Sequence, residues 1–291
     1  MFILADTSYV SWHDISNSEQ ELVGDFAAKH VHNTHELILT KQGTLHVSIN
    51  NKEYIVPPKS LIICNNIEMH LLTPITYPYE RYGLHISVSG LRDVPLSITY
   101  LAVIANHPQH FNNIFDVSEI FEEIEEIFIS INKEIFTFRD TTKMVRDEYS
   151  EEIVCHKIGE LLLRLRRHFP ERFTVQKSKN DRAILQIQQY IDENFNRDIS
   201  INHLAREAFI SHTSFINSFK KLTGYSPKHY LLMCRLAEAK LLLYSTEMPI
   251  SDIASNVGFK DSNSFIRFFR TEMDITPGEY RKLYHSNIDY E

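Results

Sequence analysis

A chain of 291 residues, 43% hydrophobic and 23% charged, has room for two compact domains with separate cores. Its net charge of −8 and pI near 6.0 exclude a globally basic nucleic-acid binder, and no apolar run approaches the roughly 20 residues that span a bilayer. Cys64, Cys155 and Cys234 form no CxxC pair and read as reduced thiols of a cytoplasmic protein; Met1 to Asp6 lacks the basic, then apolar, pattern of a secretory leader.

From about Val23 to Ile98, short apolar runs alternate with turn signals, which predicts a β-barrel or jelly roll. Leu45 to Ile49 alternates and ends at Asn50-Asn51, a hairpin turn, and Tyr54 to Val56 runs into Pro57-Pro58. Ser60 to Cys64 and Leu84 to Val88 are further strands. The spacing Gly24-x5-His30-x-His32-x3-Glu36-x6-Gly43 is similar to the first motif of the cupin barrel. In metal-binding cupins, two His on alternate strand positions, a Glu and a later His make a cage for the ion. The second cupin motif is poor: Pro57 fits, but Asn51 and Lys59 replace glycines and Ile62 stands at the fourth ligand position.

Two readings follow for this half. In the first, His30, His32 and Glu36 line a pocket for a small effector, joined by Arg81 and His85 if strand alternation turns them inward; the opposite phase turns them out. In the second, His30, His32, Glu36 and the out-of-spacing His70 hold a metal. The first is preferred, and no cofactor is expected. Trp12, His35 and His46 read as packing or surface residues.

At Val117 the apolar period lengthens to three or four residues, through Phe121, Ile124, Phe128, Ile131 and Ile135. A second helical stretch carries Val145, Tyr149, Ile153, Ile158, Leu161 and Leu165, and Phe169-Pro170 stops it. These helices pack on the barrel, form a dimer seam, or do both. The expected organisation is a sensing barrel over 1–116, a helical dimerisation segment over 117–170, a linker over 171–181, and a helical domain over 182–291. The fold class is therefore α+β.

The helical domain contains an internal repeat. Ile201-Asn202-His203-Leu204-Ala205 matches Ile250-Ser251-Asp252-Ile253-Ala254 at an offset of 49 residues. Phe215, Phe219, Lys220, Pro227 and Tyr230 match Phe265, Phe269, Arg270, Pro277 and Tyr280 at an offset of 50. A one-residue change confined to a turn means that one supersecondary unit was built twice. Each copy suits a helix-turn-helix: small Ala205 and Ala254 permit close approach, and Gly258 relaxes the second turn. Ser211, and Asp261 or Ser262, can cap the helices His212–Leu222 and Ser262–Glu272. From Asp181 onward, 13 basic residues face 14 acidic ones, so any DNA footprint depends on where charges lie.

On these residues the chain resembles the AraC/XylS family of transcription regulators. The resemblance runs from about Ile184 to Tyr284. It rests on Phe219 to Pro227, Arg235 to Leu242, Ile253-Ala254 through Gly258-Phe259, and Phe265 to Arg270 continuing into Ile275 to Arg281. It implies a linking helix over about Pro227 to Tyr244, with both recognition helices on one DNA face, about one helical turn apart. Thr213, Ile216 and Asn217 then read bases in the first unit, and Ser262, Asn263, Ile266 and Arg267 in the second. Ser211, Lys220, Lys221 and Arg270 meet phosphates. Three departures stand out: Asn217 where many members have Arg, Phe209 at a small turn position, and Asp274 for the glycine matched by Gly224.

The resemblance implies a dimeric regulator that binds double-stranded promoter DNA under control of a small effector, a carbohydrate being the first choice. RNA polymerase becomes a partner if it activates, and no membrane is involved. A metal-dependent cupin enzyme and a regulator controlled only by protein contacts are the alternatives.

Overall fold

In the computed structural model the described residues are 34–50, 52–86, 104, 107, 111–137, 148–173 and 179–285. The N-terminal half is two antiparallel sheets. Strands β1 (His35–Gln42), β4 (Ser60–Cys64), β6 (Glu80–Ile86) and β7 (Ile114–Asp116) form the first, in the order β6-β1-β4-β7. Strands β2 (Leu45–Ile49), β3 (Lys52–Val56) and β5 (His70–Pro74) form the second, in the order β3-β2-β5. Among the described residues these pairings do not close a barrel; the expected jelly roll is realised as two facing sheets.

Strand alternation explains the layering. Ile38 and Ile62 point at Leu45, Val47, Ile49 and Leu72 of the other sheet and share a core with them. Leu37, Leu39, Leu61, Ile63, Tyr82 and Leu84 point the opposite way. They meet the apolar stripes of α1 (Phe121–Thr137) and α2 (Glu148–His168), including Ile124, Phe128, Ile131, Ile158, Leu161 and Leu165. The two helices thus pack on the sheet, whereas Tyr149 and Ile153 remain exposed. Val145 lies outside the described residues, as does the side chain of Ile135.

Turn chemistry sets the register of the hairpins. Ile49 pairs with Lys52 across a turn in which Asn50 takes a positive φ of 48°. Lys59, one of the glycine replacements, holds φ 61° itself, so the backbone has kept the left-handed turn without the glycine. The helical stop at Phe169 is observed. Residues 171–173 still belong to the sensor, since Phe173 is buried in its core and Arg172 donates to the Ile114 carbonyl.

The C-terminal half is helical throughout: α3 (Lys179–Asn194), α4 (Ile201–Glu207), α5 (His212–Thr223), α6 (Pro227–Ser245), α7 (Ile250–Asn256), α8 (Ser262–Met273) and α9 (Pro277–His285). The α4–α5 and α7–α8 pairs are the two predicted units. The long α6 joins them, within a residue of its expected ends. Ser211 and Asp261 each accept the backbone N–H three residues on, which settles the second cap on Asp261. Phe215 and Phe219 are fully buried, as are their counterparts Phe265 and Phe269. Among the described residues no helix is long and apolar enough to cross a membrane.

Candidate functional site

Two sites emerge, one on the recognition helices and one between the sheets. In the first unit, α5 buries its phenylalanine face and leaves Thr213, Asn217, Lys220 and Lys221 exposed. In the second, α8 does the same with Asn263, Arg267 and Arg270, while Ser262 is half-buried. Ile216 and Ile266 are also half-buried and pack on the domain core, so each offers only an edge to a partner. Ser211 is engaged in capping: its hydroxyl accepts from the Ser214 N–H and donates to the Ser214 hydroxyl. Asp261 holds α8 the same way, and its hydrogen bonds from Ser264 keep its carboxyl below the usual range.

The turns preceding the two recognition helices differ. Gly258 sits at φ 93°, and a Cβ there would lie 2.7 Å from the Asn196 carbonyl oxygen, so both backbone conformation and space demand glycine. Its counterpart Phe209 holds φ 57° with its ring 96% exposed. Asp274 sits at φ 61° as the left-handed cap of α8, matching Gly224 at φ 81° in α5. Arg235 joins the units: it donates to the carbonyls of Phe195 and Arg197 and lies over the Phe259 ring.

The intersheet site forms around Glu36. Register pairs Glu36 with His85, Ile38 with Gly83 and Thr40 with Arg81, which puts all six on the inner face. The inward phase for Arg81 and His85 is therefore the one adopted. His70 arrives from the facing sheet, opposite Ile49. Its Nε2 lies 3.1 Å from Glu36 Oε2, while His85 Nε2 and Arg81 Nη1 lie 3.6 and 3.9 Å from Oε1. Thr34 hydrogen-bonds the other ring nitrogen of His85 at 3.1 Å. Sequence spacing sets His70 aside, but sheet packing brings it to the centre. His30, His32 and Trp12 lie outside the described residues. Among the described residues no group of three or more His, Cys, Asp or Glu is arranged to hold a metal. Ile62, at the fourth cupin ligand position, is fully buried in the intersheet core.

Sequence reasoning missed Glu68. It is buried within 2.7 Å of His107 Nδ1 and accepts from the Asn113 amide and the Asn65 N–H. Burial alone would raise its carboxyl, but attraction to His107 and these hydrogen bonds carry it below the ordinary value. It also missed Asp192 on α3, whose carboxyl burial pushes up to about 6. No motif marks either residue, because their side-chain partners His107, Asn113 and Tyr230 stand 38 or more positions away.

Comparison with known proteins agrees with this division. A family model described as the AraC-like ligand binding domain matches residues 14–135, and one described as a helix-turn-helix domain matches 204–283. The chain is 26% identical to the HTH-type transcriptional activator RhaS of Klebsiella pneumoniae over 265 residues, 87% of each chain. It is 31% identical to the lactose operon transcription activator of Staphylococcus xylosus, over 46% of this chain and 48% of that one. The structure of unsaturated fatty acid bound ToxT from Vibrio cholerae shares its fold at a TM-score of 0.54 and 14% identity, covering 88% of this chain and 90% of that one.

Proposed function

The chain belongs to the AraC family of DNA-binding transcription regulators with a ligand-binding domain, and we propose that it is a sugar-responsive activator. The observation that carries the DNA half is the duplicated, capped recognition helix with a polar exposed face in each copy. Asn263 and Arg267 read bases, with Arg267 making the guanine fork; Thr213 and Asn217 read them in the first unit, and Ile216 and Ile266 touch thymine methyls. Lys220, Lys221 and Arg270 meet phosphates, whereas Ser211 serves chiefly as a cap.

The effector binds between the sheets against Glu36, His70, Arg81 and His85. A carboxylate, two imidazoles and a guanidinium alternate acceptors with donors, which suits a ligand rich in hydroxyl groups. The buried Glu36 carboxylate disfavours an anionic head group beside it. The relative named for the lactose operon supports the same class. The protein has no catalytic role on this reading; it acts in the cytoplasm, on chromosomal DNA and with RNA polymerase.

A second copy pairs through the outer face of α2, where Tyr149, Ile153 and Leu163 are exposed on one stripe. Genome-wide footprinting followed by thermal-shift screening against monosaccharides and disaccharides tests the proposal. A sugar that raises Tm in the parent protein and not in Glu36→Gln, and that alters operator occupancy, is the expected result. Stabilisation by fatty acids alone, or stoichiometric bound metal with enzymatic turnover, overturns it.

A further inference from the structure

The β4–β5 loop, Asn65 to Met69, leaves the sensor and meets α3 and α6, the helices that support the first helix-turn-helix unit. Ile67 at its tip is fully buried in the same apolar cluster as Ile184, Ile187, Tyr230 and Cys234, and Met69 packs against that cluster. Beside it, Asn66 Nδ2 donates to Asp192 Oδ1 at 3.2 Å. The Tyr230 hydroxyl donates to the same oxygen at 2.8 Å, lies 3.3 Å from Asn66 Oδ1, and accepts from Gln188. The Cys234 thiol, 3.5 Å away, completes the ring of donors.

The repeat shows that an acidic residue at this half-buried position is not a requirement of the helical fold. At the offset of 49 residues, Asp192 corresponds to Leu241, which is 51% exposed on α6. The same face is thus open in the second unit and covered by the sensor in the first. Placing a carboxylate at a contact that an apolar pair could make is unfavourable in itself, and the best-attested use of such a group is to set register or act in a switch.

The other root of the loop reaches the intersheet site. His70 bonds the Glu68 carbonyl through Nδ1 at 2.8 Å and faces Glu36 through Nε2 at 3.1 Å. The Asn66 N–H donates to His35 Nδ1, on the neighbour of Glu36. The Glu68 carboxylate, held by His107 and Asn113, braces the turn by accepting from the Asn65 N–H. Asn50 ties the loop from the β2–β3 turn: its N–H donates to the Met69 carbonyl and its side-chain oxygen accepts from the Met69 N–H. These bonds tie the five-residue loop to His70 at one end and to α3 and α6 at the other.

We infer that residues 65–69 are a docking key that couples the Glu36–His70 site to the first helix-turn-helix unit, fixing the orientation of that unit against the sensor. Ligand contact at Glu36 and His70 then withdraws or seats the key, and the second unit follows through α6. The inference rests on the effector site proposed above, but its test requires no effector.

Hydrogen exchange of the full-length protein measures both ends. Ile67→Asp and the milder Asn66→Ala should raise exchange at 184–192 and 228–236 several-fold, while 262–272 changes less. Glu36→Gln, on the sensor side of the key, should alter the same two segments by at least twofold. If the loop variants respond and Glu36→Gln leaves 184–192 and 228–236 at parental rates, the loop docks without coupling and the inference falls. Parental exchange in both loop variants removes the docking contact itself. Binding of the footprinted operator is followed in parallel: its loss in the parent protein refutes the proposed function, whereas a threefold or larger change in operator Kd confined to the loop variants supports the key.

Discussion

The two helix-turn-helix units are built from one pattern and have been put to different use. Both bury a phenylalanine pair beneath a capped recognition helix, and both close that helix with a left-handed residue, Gly224 or Asp274. The second keeps the glycine its turn requires and carries Arg267 on an exposed face. The first carries the strained, exposed Phe209 and the shorter Asn217, and its supporting helices α3 and α6 receive the sensor loop at Asp192 and Tyr230. The difference is that the second unit leaves its recognition helix the longer exposed guanidinium, whereas the helices supporting the first carry the contact with the sensor.

The comparison can be broken first in the cores. Phe219→Ala and Phe269→Ala each remove a fully buried ring and should destabilise by about 3–5 kcal/mol in denaturant unfolding. Similar losses are expected because this layer is shared; a first-unit loss below about 1 kcal/mol would show that the sensor, not the phenylalanine pair, holds that unit together.

The pH dependence separates the units next. With its carboxyl raised from 3.8 to about 6, Asp192 binds a proton more tightly in the folded protein than in the unfolded chain. Its stabilising contribution is therefore complete below about pH 4 and is lost as pH rises through about 6, a change on the order of 3 kcal/mol. Parent stability measured against Asp192→Asn should fall across that window. A flat difference between the two proteins would mean that the carboxyl is not buried in solution.

DNA binding sharpens the contrast further. Arg267→Ala should weaken operator binding by about 1–3 kcal/mol and relax one base position, with Asn217→Ala at the lower end of that range or below. Lys220→Ala should weaken all sequences alike and reduce the salt slope. The smallest effects belong to the turns. Gly258→Ala should destabilise by about 1–2 kcal/mol, given its positive φ and the Asn196 carbonyl 2.7 Å from a new Cβ. Phe209→Gly relieves strain and should stabilise by a few tenths to about 1 kcal/mol, unless the ring has a partner of its own. Thermal unfolding of both variants gives the two signs directly.

The helical domain was legible almost residue by residue, because helix periodicity, caps and a repeated pattern are all local. Ser211, Asp261 and the ends of α5, α6 and α8 follow from neighbours within a turn or two. The strands were legible more coarsely. Alternation located Leu45–Ile49 and a continuous apolar run located Ser60–Cys64, but β7 is three residues long and depends on pairing with β4, so no local signal announced it.

The intersheet site was half legible. Glu36 came from spacing, and Arg81 and His85 came from alternation with the phase left open; the β1–β6 register decided that phase. His70 was a candidate whose spacing fits no motif, since its approach to Glu36 depends on how two sheets face each other. The sequence by itself determined the tandem units, the cap at Ser211 and the polar faces of the two recognition helices, all properties of short-range periodicity. Only the tertiary structure decided that the sheets stay open along their described edges, that a loop from one domain buries Ile67 in the other, and that Asp192 lies beneath it. Those contacts join residues more than a hundred positions apart, and no local pattern encodes which distant surface will cover a polar group.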